Sequence, residues 1–338
     1  MPIISRPWIG IFCAALGAAA IGLAAIPAEA VDTKALTPIK IGIFPGNTSS
    51  SIWVIADQKG FYEREGLKAQ FVNFSTGPAL AAAVVSGSVD VAYGASSVSF
   101  DLARQSSKLV VLGDFVEYMN WNIVVAKSKA TSSVEAGFPA NVRSLKGLKI
   151  GVTALGGVVN KFVLALFESA GVAPGDVTLI ATGASNTAIP ALKNGRVDGL
   201  AAVVSPQDLQ HQGIEAVTVV DAGIKGNAGP VGSGALGIVD TTSRAFMEKN
   251  PATLNKYCKA MIATVAWAKD PANYGAVSQL VAKQIGITPE LAAEELKHDL
   301  VSYDNTLPEA VWNAQPKWVT GGGNVPTYRD TVHATCGR

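Results

Sequence analysis

The sequence predicts an α/β protein with two lobes, each a mostly parallel sheet flanked by helices, and a ligand cleft between them. Three observations support this class. Short apolar runs with strand character alternate with helical segments, as in parallel βαβ units. Two sequence markers each occur twice, at nearly the same offset. The length of 338 residues suits about two domains.

The repeat consists of two pairs of short segments. Residues 39–43 (IKIGI) recur 109 positions later as residues 148–152 (LKIGV). Residues 86–90 (SGSVD) recur 108 positions later as residues 194–198 (NGRVD). Offsets that agree this closely indicate two copies of one unit of about a hundred residues.

Each copy is predicted to run strand, helix, strand, helix, strand. In such units the strands are parallel, and ligands bind at the carboxyl ends of the strands. The predicted strands are 39–44, 67–74 and 89–93 in the first copy and 149–152, 177–181 and 197–204 in the second. The predicted helices are 52–62, 79–86, 98–106, 160–170 and 188–193.

The chain is predicted to cross between the lobes near residues 120–126 and 226–237, the second segment being rich in glycine. Lobe 1 is therefore expected to contain residues 31–122 and 238–338, and lobe 2 residues 123–237. The C-terminal third is expected to pack back on lobe 1. Its predicted helices are 244–249, 254–269, 274–285, 289–298 and 308–317.

Residues 1–30 have the order of a secretory signal peptide. Arg6 precedes an uncharged run from Pro7 to Ala28, and Ala28-Glu29-Ala30 has the pattern of a cleavage site. We expect export to the periplasm and cleavage near Ala30, with a retained anchor as the alternative. In that oxidising compartment Cys258 and Cys336 either pair as a disulfide or remain two thiols, and the sequence leaves both open.

Composition and motifs exclude several functions. A net charge of +1, with 16% charged residues, provides no electrostatic footprint for nucleic acid. Residues 232–237 (GSGALG) match a dinucleotide-binding pattern, but the required preceding strand and following helix are not predicted. The three histidines are scattered, and three cysteines are too few for an iron–sulfur protein. We therefore expect no catalytic residue, no metal and no cofactor.

Small polar residues follow most of the predicted strands and precede helices. Hydroxyls, amides and helix N-terminal N–H groups at these positions would converge on the cleft and can bind an oxyanion without a full counter-charge. The same residue types also serve as ordinary helix N-caps, and both interpretations stay open. These candidates are Asn47, Thr48, Ser49, Ser75, Thr76, Ser96, Ser97, Thr153, Gly156, Gly157, Ser185, Asn186 and Ser205.

Five further residues have predicted roles around the cleft. Tyr93 and Trp121 are aromatic candidates for the ligand site, and for Trp121 packing at the hinge is an equal alternative to stacking on an organic ligand. Lys161 is the only basic residue within one position of a cleft turn, which leaves room for a neutral or zwitterionic solute. Asp90 and Asp198, one in each copy, are expected to hold a helix–strand turn rather than to touch ligand.

Several segments resemble a known family. Residues 59–67 (KGFYEREGL) are similar to a signature of the nitrate/sulfonate/taurine class of ABC-transporter solute-binding proteins, which are related in fold to thiamine-precursor-binding proteins. Residues 75–80, 87–92, 145–152 and 192–199 are also similar, so that the resemblance covers roughly residues 39–206.

The resemblance implies a type II periplasmic-binding-protein fold, with a hinge that closes the two lobes around a solute. It also implies delivery of the solute to an inner-membrane permease with its ATPase, and we expect a monomer. The solute is a small organic molecule, with sulfonate, carboxylate and zwitterionic compounds all open. One alternative is an enzyme related to a fungal pyrimidine-precursor synthase, although the chain lacks a cysteine cluster. The other is a ligand-sensing ectodomain on an uncleaved anchor.

Overall fold

The protein is described by a computed structural model over most of its length. The described residues are 35–45, 50–105, 108–116, 121–183, 185–202, 204, 206–224, 226–232, 236–303, 306–333 and 336. The predicted signal peptide, residues 1–30, lies outside them. Among the described helices, none has both the length and the apolar character needed to cross a membrane.

The strands form two five-stranded sheets with the same layout. Sheet 1 has the order β2-β1-β3-β10-β4 and sheet 2 the order β7-β6-β8-β5-β9. In each sheet one strand, β10 or β5, runs antiparallel to its neighbours. The predicted two-lobed, mostly parallel α/β architecture is thereby confirmed. The strands are β1 (Thr37–Ile43), β2 (Leu67–Asn73), β3 (Val91–Ala95), β4 (Leu109–Val116), β5 (Asn122–Ala126), β6 (Lys149–Val152), β7 (Thr178–Ala181), β8 (Gly199–Ala202), β9 (Ala216–Asp221) and β10 (Ile238–Ser243).

Helices connect these strands and make up most of the C-terminal third. Those of the first half are α1 (Ser51–Gln58), α2 (Phe61–Arg64), α3 (Gly77–Ser86), α4 (Ser96–Gln105), α5 (Ala140–Arg143), α6 (Val158–Ala170), α7 (Ser185–Lys193) and α8 (Pro206–His211). The others are α9 (Gly229–Gly232), α10 (Arg244–Lys249), α11 (Pro251–Lys269), α12 (Tyr274–Ile285), α13 (Pro289–Ser302), α14 (Glu309–Asn313), α15 (Lys317–Thr320) and α16 (Tyr328–Thr331).

The chain passes twice between the sheets. It leaves sheet 1 from the edge strand β4 and enters sheet 2 as β5. It leaves sheet 2 from the edge strand β9 and returns to sheet 1 as β10. The first crossing was predicted at residues 120–126, but β5 occupies residues 122–126. Ile123, Val124 and Val125 are buried there, as expected of a strand that is covered on both faces.

The sequence repeat has a structural counterpart. The Lys40 backbone N–H donates to Asp90 Oδ2 at 2.8 Å, and the Lys149 N–H donates to Asp198 Oδ2 at 2.9 Å. Each aspartate thus ties the turn before β3 or β8 to the neighbouring parallel strand, at the fourth residue of β1 and at the first residue of β6. The prediction that both residues hold a helix–strand turn is confirmed.

Two predicted helices are interrupted. The helix expected over residues 52–62 ends with α1 at Gln58, because Gly60 adopts a left-handed conformation (φ +69°) before α2 begins. The helix expected over residues 308–317 is divided into α14 and α15, because Pro316 has no N–H to continue it. Strands β4, β5, β9 and β10 have no counterpart among the six strands predicted within the two copies.

The apolar clusters show which elements the C-terminal segment packs against. One apolar cluster joins sheet 1 to α1, α11 and α12. A second cluster joins sheet 2 and α6 to Phe100 of α4 and to Trp312 and Val319 of the C-terminal segment. Helix α15 contacts both α4 and α6. The C-terminal segment therefore buries apolar surface against elements of both sheets.

Candidate functional site

An ion pair joins a helix that follows a strand of sheet 2 to a helix that follows a strand of sheet 1. Helix α4 begins where β3 ends, and α6 begins shortly after the end of β6. Lys161 Nζ in the first turns of α6 lies 2.7 Å from Asp101 Oδ2 in α4. Lys161 is the fourth residue of α6 and Asp101 lies in the middle of α4, so the pair links the helix after β6 to the helix after β3. The turns at the carboxyl ends of the strands, on both sides of this pair, form the candidate site.

The charge of Lys161 is already compensated. Its partner Asp101 also accepts a bond from Arg104, so that one carboxylate serves two cations. The side chains of Lys161 and Asp101 are 32% and 29% exposed, which means that the pair is partly withdrawn from water. An incoming anion would have to compete with Asp101 for this ammonium group.

Buried hydroxyls lie at two helix starts on the side of sheet 1. Ser51 in α1 and Ser97 in α4 are buried, and their Oγ atoms have no hydrogen-bond partner among the described residues. Ser96, next to Ser97, instead donates from Oγ to the Leu236 carbonyl at 2.5 Å. Ser96 thus ties α4 to the second crossing, whereas Ser97 retains an unused polar group.

The other predicted residues of sheet 1 are more accessible. Ser75 is exposed and Thr76 is half-buried. Thr76 is the N-cap residue of α3, but its side chain makes no capping hydrogen bond. The helix-cap interpretation therefore does not account for its hydroxyl. Asn47, Thr48 and Ser49 lie outside the described residues, as does Ser205 of sheet 2.

On the side of sheet 2, the turn after β6 carries Thr153, Gly156 and Gly157. Gly156 has φ +74°, and its N–H donates to Asn160 Oδ1 at 2.9 Å, so a buried amide of α6 holds the turn. Gly157 is the N-cap residue of α6. Ser185 begins α7 and is half-buried, and Asn186 is exposed.

Both aromatic candidates lie in packed surroundings. Tyr93 is buried and stacks on Trp53 with ring centroids 4.2 Å apart. Trp121 is 6% exposed and contacts the rings of Phe162 and Trp318 at 5.4 and 6.2 Å. Trp121 therefore packs between α6 and α15, and its stacking on a ligand stays a prediction.

A buried acid lies behind the Tyr93–Trp53 pair. Asp240 of β10 faces Tyr93 in the strand register. Its Oδ2 accepts hydrogen bonds from the Tyr257 hydroxyl and from Trp53 Nε1, the latter at 3.4 Å. Burial raises the pKa of Asp240 to about 7, although the bonds from Tyr257, Trp53 and the Thr241 N–H partly oppose this. Sequence reasoning missed this residue.

Asn122 is a second residue that sequence reasoning left out of the site. It begins β5 directly after the first crossing, and its Nδ2 lies 3.5 Å from the Val204 carbonyl beyond the end of β8. Its Oδ1 is buried and has no hydrogen-bond partner among the described residues. The only signal in the sequence was an amide at a predicted crossing.

The two cysteines of the predicted mature chain meet away from these turns. The structure joins Cys258 of α11 to Cys336 as a disulfide, with Cα atoms 5.2 Å apart. This distance lies within the usual range for disulfides. The pairing corresponds to one of the two alternatives that the sequence left open.

Comparison with known proteins identifies the family. The model of the NMT1-like family matches residues 32–282. The chain belongs to the NMT1-like family. The comparison of this NMT1-like protein with curated proteins finds no match.

Solved structures share the fold of this NMT1-like protein. A protein from Bordetella bronchiseptica RB50 is 22% identical with a TM-score of 0.69, over 88% of this chain and 94% of the other. The alkanesulfonate-binding protein SsuA from Xanthomonas axonopodis pv. citri, solved with MOPS, is 20% identical with a TM-score of 0.66, over 82% and 90%. The desulfurization enzyme DSZB is 15% identical with a TM-score of 0.55, over 87% and 96%. The fold therefore serves binding proteins and at least one enzyme.

Proposed function

We propose that this NMT1-like protein is the solute-binding component of an ABC importer. It captures a small organic solute by closure of its two lobes and delivers it to an inner-membrane permease with its ATPase. The observation that supports this proposal is the ion pair between Lys161 and Asp101, which joins α6 after sheet 2's β6 to α4 after sheet 1's β3. We further propose that the protein acts in the periplasm as a monomer, after removal of residues 1–30.

Closure is proposed to depend on the two crossings between the sheets. A solute that contacts both lobes favours the closed state by the difference between its affinities for the closed and open states. Ser97 Oγ on one side and Asn122 Oδ1 on the other are buried polar atoms with no hydrogen-bond partner in the part of the chain that the structure describes. A solute that hydrogen-bonds both groups would remove the cost of leaving them unsatisfied, about 1–3 kcal/mol each.

The proposed solute class follows from these groups and from the charge balance. Helix N-termini and hydroxyls favour the oxygen atoms of a sulfonate or carboxylate. Because Asp101 compensates Lys161, no full positive charge of that residue is left for a strongly anionic ligand. A zwitterion or a singly charged organic acid fits this balance better than a multivalent anion.

The test is a solute screen by thermal unfolding. The panel contains taurine, alkanesulfonates, nitrate, small carboxylates and betaine-type zwitterions. A true solute at a hundred times its Kd stabilises the protein by about 2.7 kcal/mol. Ser97→Ala and Asn122→Ala should each weaken binding about five- to a hundredfold, whereas Ser169→Ala, an exposed serine at the far end of α6, should not. A panel without any stabilising solute would contradict the proposal.

A second candidate is an enzyme, because DSZB shares the fold. A serine nucleophile needs an adjacent base. Ser51 and Ser97 have no hydrogen-bond partner among the described residues, which favours binding over catalysis. Proton NMR of the stabilising solute after incubation with the protein distinguishes the two: unchanged solute supports the importer, and product signals support the enzyme.

A further inference from the structure

We propose that Cys258, His333 and Cys336 form a binding site for a thiophilic divalent cation such as Zn²⁺, which is available only when the disulfide is reduced. One nitrogen atom of His333 and the two sulfur atoms lie within 4.8 Å of one another. Two thiolates and one imidazole are a donor set that zinc prefers. The two cysteines are buried and His333 is half-buried, so a cation would enter from the histidine side.

The backbone holds Cys258 and His333 in place independently of the sulfur–sulfur bond. Cys258 lies in the middle of the nineteen-residue helix α11. Next to His333, Val332 forms a parallel bridge with Val111 of β4, and the His333 N–H donates to the Val111 carbonyl at 2.8 Å. These contacts keep the chain attached to sheet 1 at His333 when the disulfide opens, and Cys336 follows only three residues later.

The distances suit either state of the cysteines. Zinc bonds of about 2.3 Å to sulfur and 2.0–2.1 Å to nitrogen place neighbouring tetrahedral ligands roughly 3.5–3.8 Å apart. Cα atoms 5.2 Å apart allow the sulfur atoms to separate to this distance by rotation of the side chains. The His333 nitrogen, which lies within 4.8 Å of the sulfur atoms, must then move closer to them by about 1 Å. A water molecule would complete the tetrahedron.

The redox step is thiol–disulfide exchange. A dithiol reductant gives up two electrons and two protons: its own disulfide forms, the Cys258–Cys336 bond breaks, and two thiols result. The cation then displaces the two thiol protons and binds both thiolates and the neutral imidazole. While the disulfide is intact, neither sulfur atom can act as a thiolate ligand, and the site is closed.

The experiment uses the full mature protein and Co²⁺ as the spectroscopic probe for a zinc site. After anaerobic treatment with dithiothreitol and removal of the reductant, we expect one bound Co²⁺ with thiolate-to-metal charge-transfer absorption, displaced by Zn²⁺. The untreated protein should show two disulfide-bonded cysteines by thiol titration and no such absorption. Absence of the absorption after reduction would overturn the site, and its presence in untreated protein would overturn the redox control.

Two histidine variants separate this site from adventitious binding. His333→Ala keeps both cysteines, and therefore folds with its disulfide before reduction. It should bind Co²⁺ at least about tenfold more weakly once reduced. His211→Ala, which removes an exposed histidine at the end of α8, should bind as the unaltered protein does. Equal affinity in the His333→Ala variant would exclude the proposed ligand set. The outcome is independent of the solute screen, because the cysteines lie outside the cleft turns.

Discussion

The two sheets have the same strand order and the same aspartate contacts, yet their antiparallel strands differ in polarity. Strand β10 of sheet 1 buries Asp240 and the run Thr241–Ser243, whereas β5 of sheet 2 buries Ile123, Val124 and Val125. In the register, Asp240 faces Tyr93 and Ile123 faces Ala201. The acid and the isoleucine therefore occupy matching positions of the two copies.

This difference shows that the fold does not require a charged group at this position. Sheet 2 has the apolar residue Ile123 at the position that matches Asp240. The aspartate of sheet 1 is therefore not needed to form a sheet of this topology. Burial of an ionised acid costs free energy unless it is fully hydrogen-bonded, and Asp240 Oδ1 has no partner among the described residues. The acid does, however, fix Trp53 behind the candidate site.

The largest expected effect is the pH dependence that Asp240 gives to sheet 1. In the folded protein the carboxyl group of Asp240 keeps its proton up to about pH 7. In the unfolded chain the same group loses its proton near pH 3.8. Stability from this group is therefore present at low pH and is lost as the pH rises through about 7. Between pH 5 and pH 8 the loss is roughly 2–3 kcal/mol, to be measured by urea unfolding.

Asp240→Asn should remove this part of the pH dependence, because the amide has no proton to release in this range. The matched variant in sheet 2 is Ile123→Val, which carries no titratable group. It should cost about 0.5–1.5 kcal/mol equally at both pH values. An Asp240→Asn protein that retains the full pH dependence would place its origin elsewhere in the chain.

A second difference between the sheets is steric. A Cβ atom at Gly199 of β8 would lie 2.5 Å from the Val124 carbonyl oxygen of β5. The counterpart in β3, Val91, accommodates a full side chain while facing Thr242 of β10. We expect Gly199→Ala to destabilise the protein by about 1–3 kcal/mol in urea unfolding, because backbone of a paired strand must move.

The control for this steric effect lies in β3. A Cβ atom at Gly94 would meet no atom within 4 Å. Gly94→Ala should therefore leave stability unchanged or raise it by up to about 1 kcal/mol. Equal losses in the two variants would mean that strand flexibility, not the closer approach of β5 to β8, makes glycine necessary.

These comparisons also show where sequence reasoning succeeds. The alternation of strands and helices and the repeat markers are local signals, and they predicted the α/β class and the roles of Asp90 and Asp198. The polar network of Asp240, Trp53 and Tyr257 joins residues up to 204 positions apart. No local pattern reports such a pairing, because it depends on the insertion of β10 between β3 and β4. The same holds for Asn122, whose buried amide follows from its place at the crossing.

The smallest expected effect concerns the feature that the two sheets share. Asp90→Ala and Asp198→Ala each remove the acceptor of one backbone N–H, which should cost about 1 kcal/mol in either copy. Asp198 also lies 3.0 Å from Lys129 Nζ. Although burial opposes it, the pKa of Asp198 is lowered by the Lys149 N–H and by Lys129.

The ion pair with Lys129 should make the substitution of Asp198 more destabilising than that of Asp90. Asp198→Ala should cost about 0.2–1 kcal/mol more than Asp90→Ala at neutral pH. That excess should be lost as the pH falls through the lowered pKa of Asp198, since the protonated acid no longer pairs with the lysine. In a double-mutant cycle, Lys129→Met should remove the excess and leave the remaining cost equal to that of Asp90→Ala. If the two losses of unfolding free energy still differed, the two aspartates would contribute unequally to stability despite their matching positions.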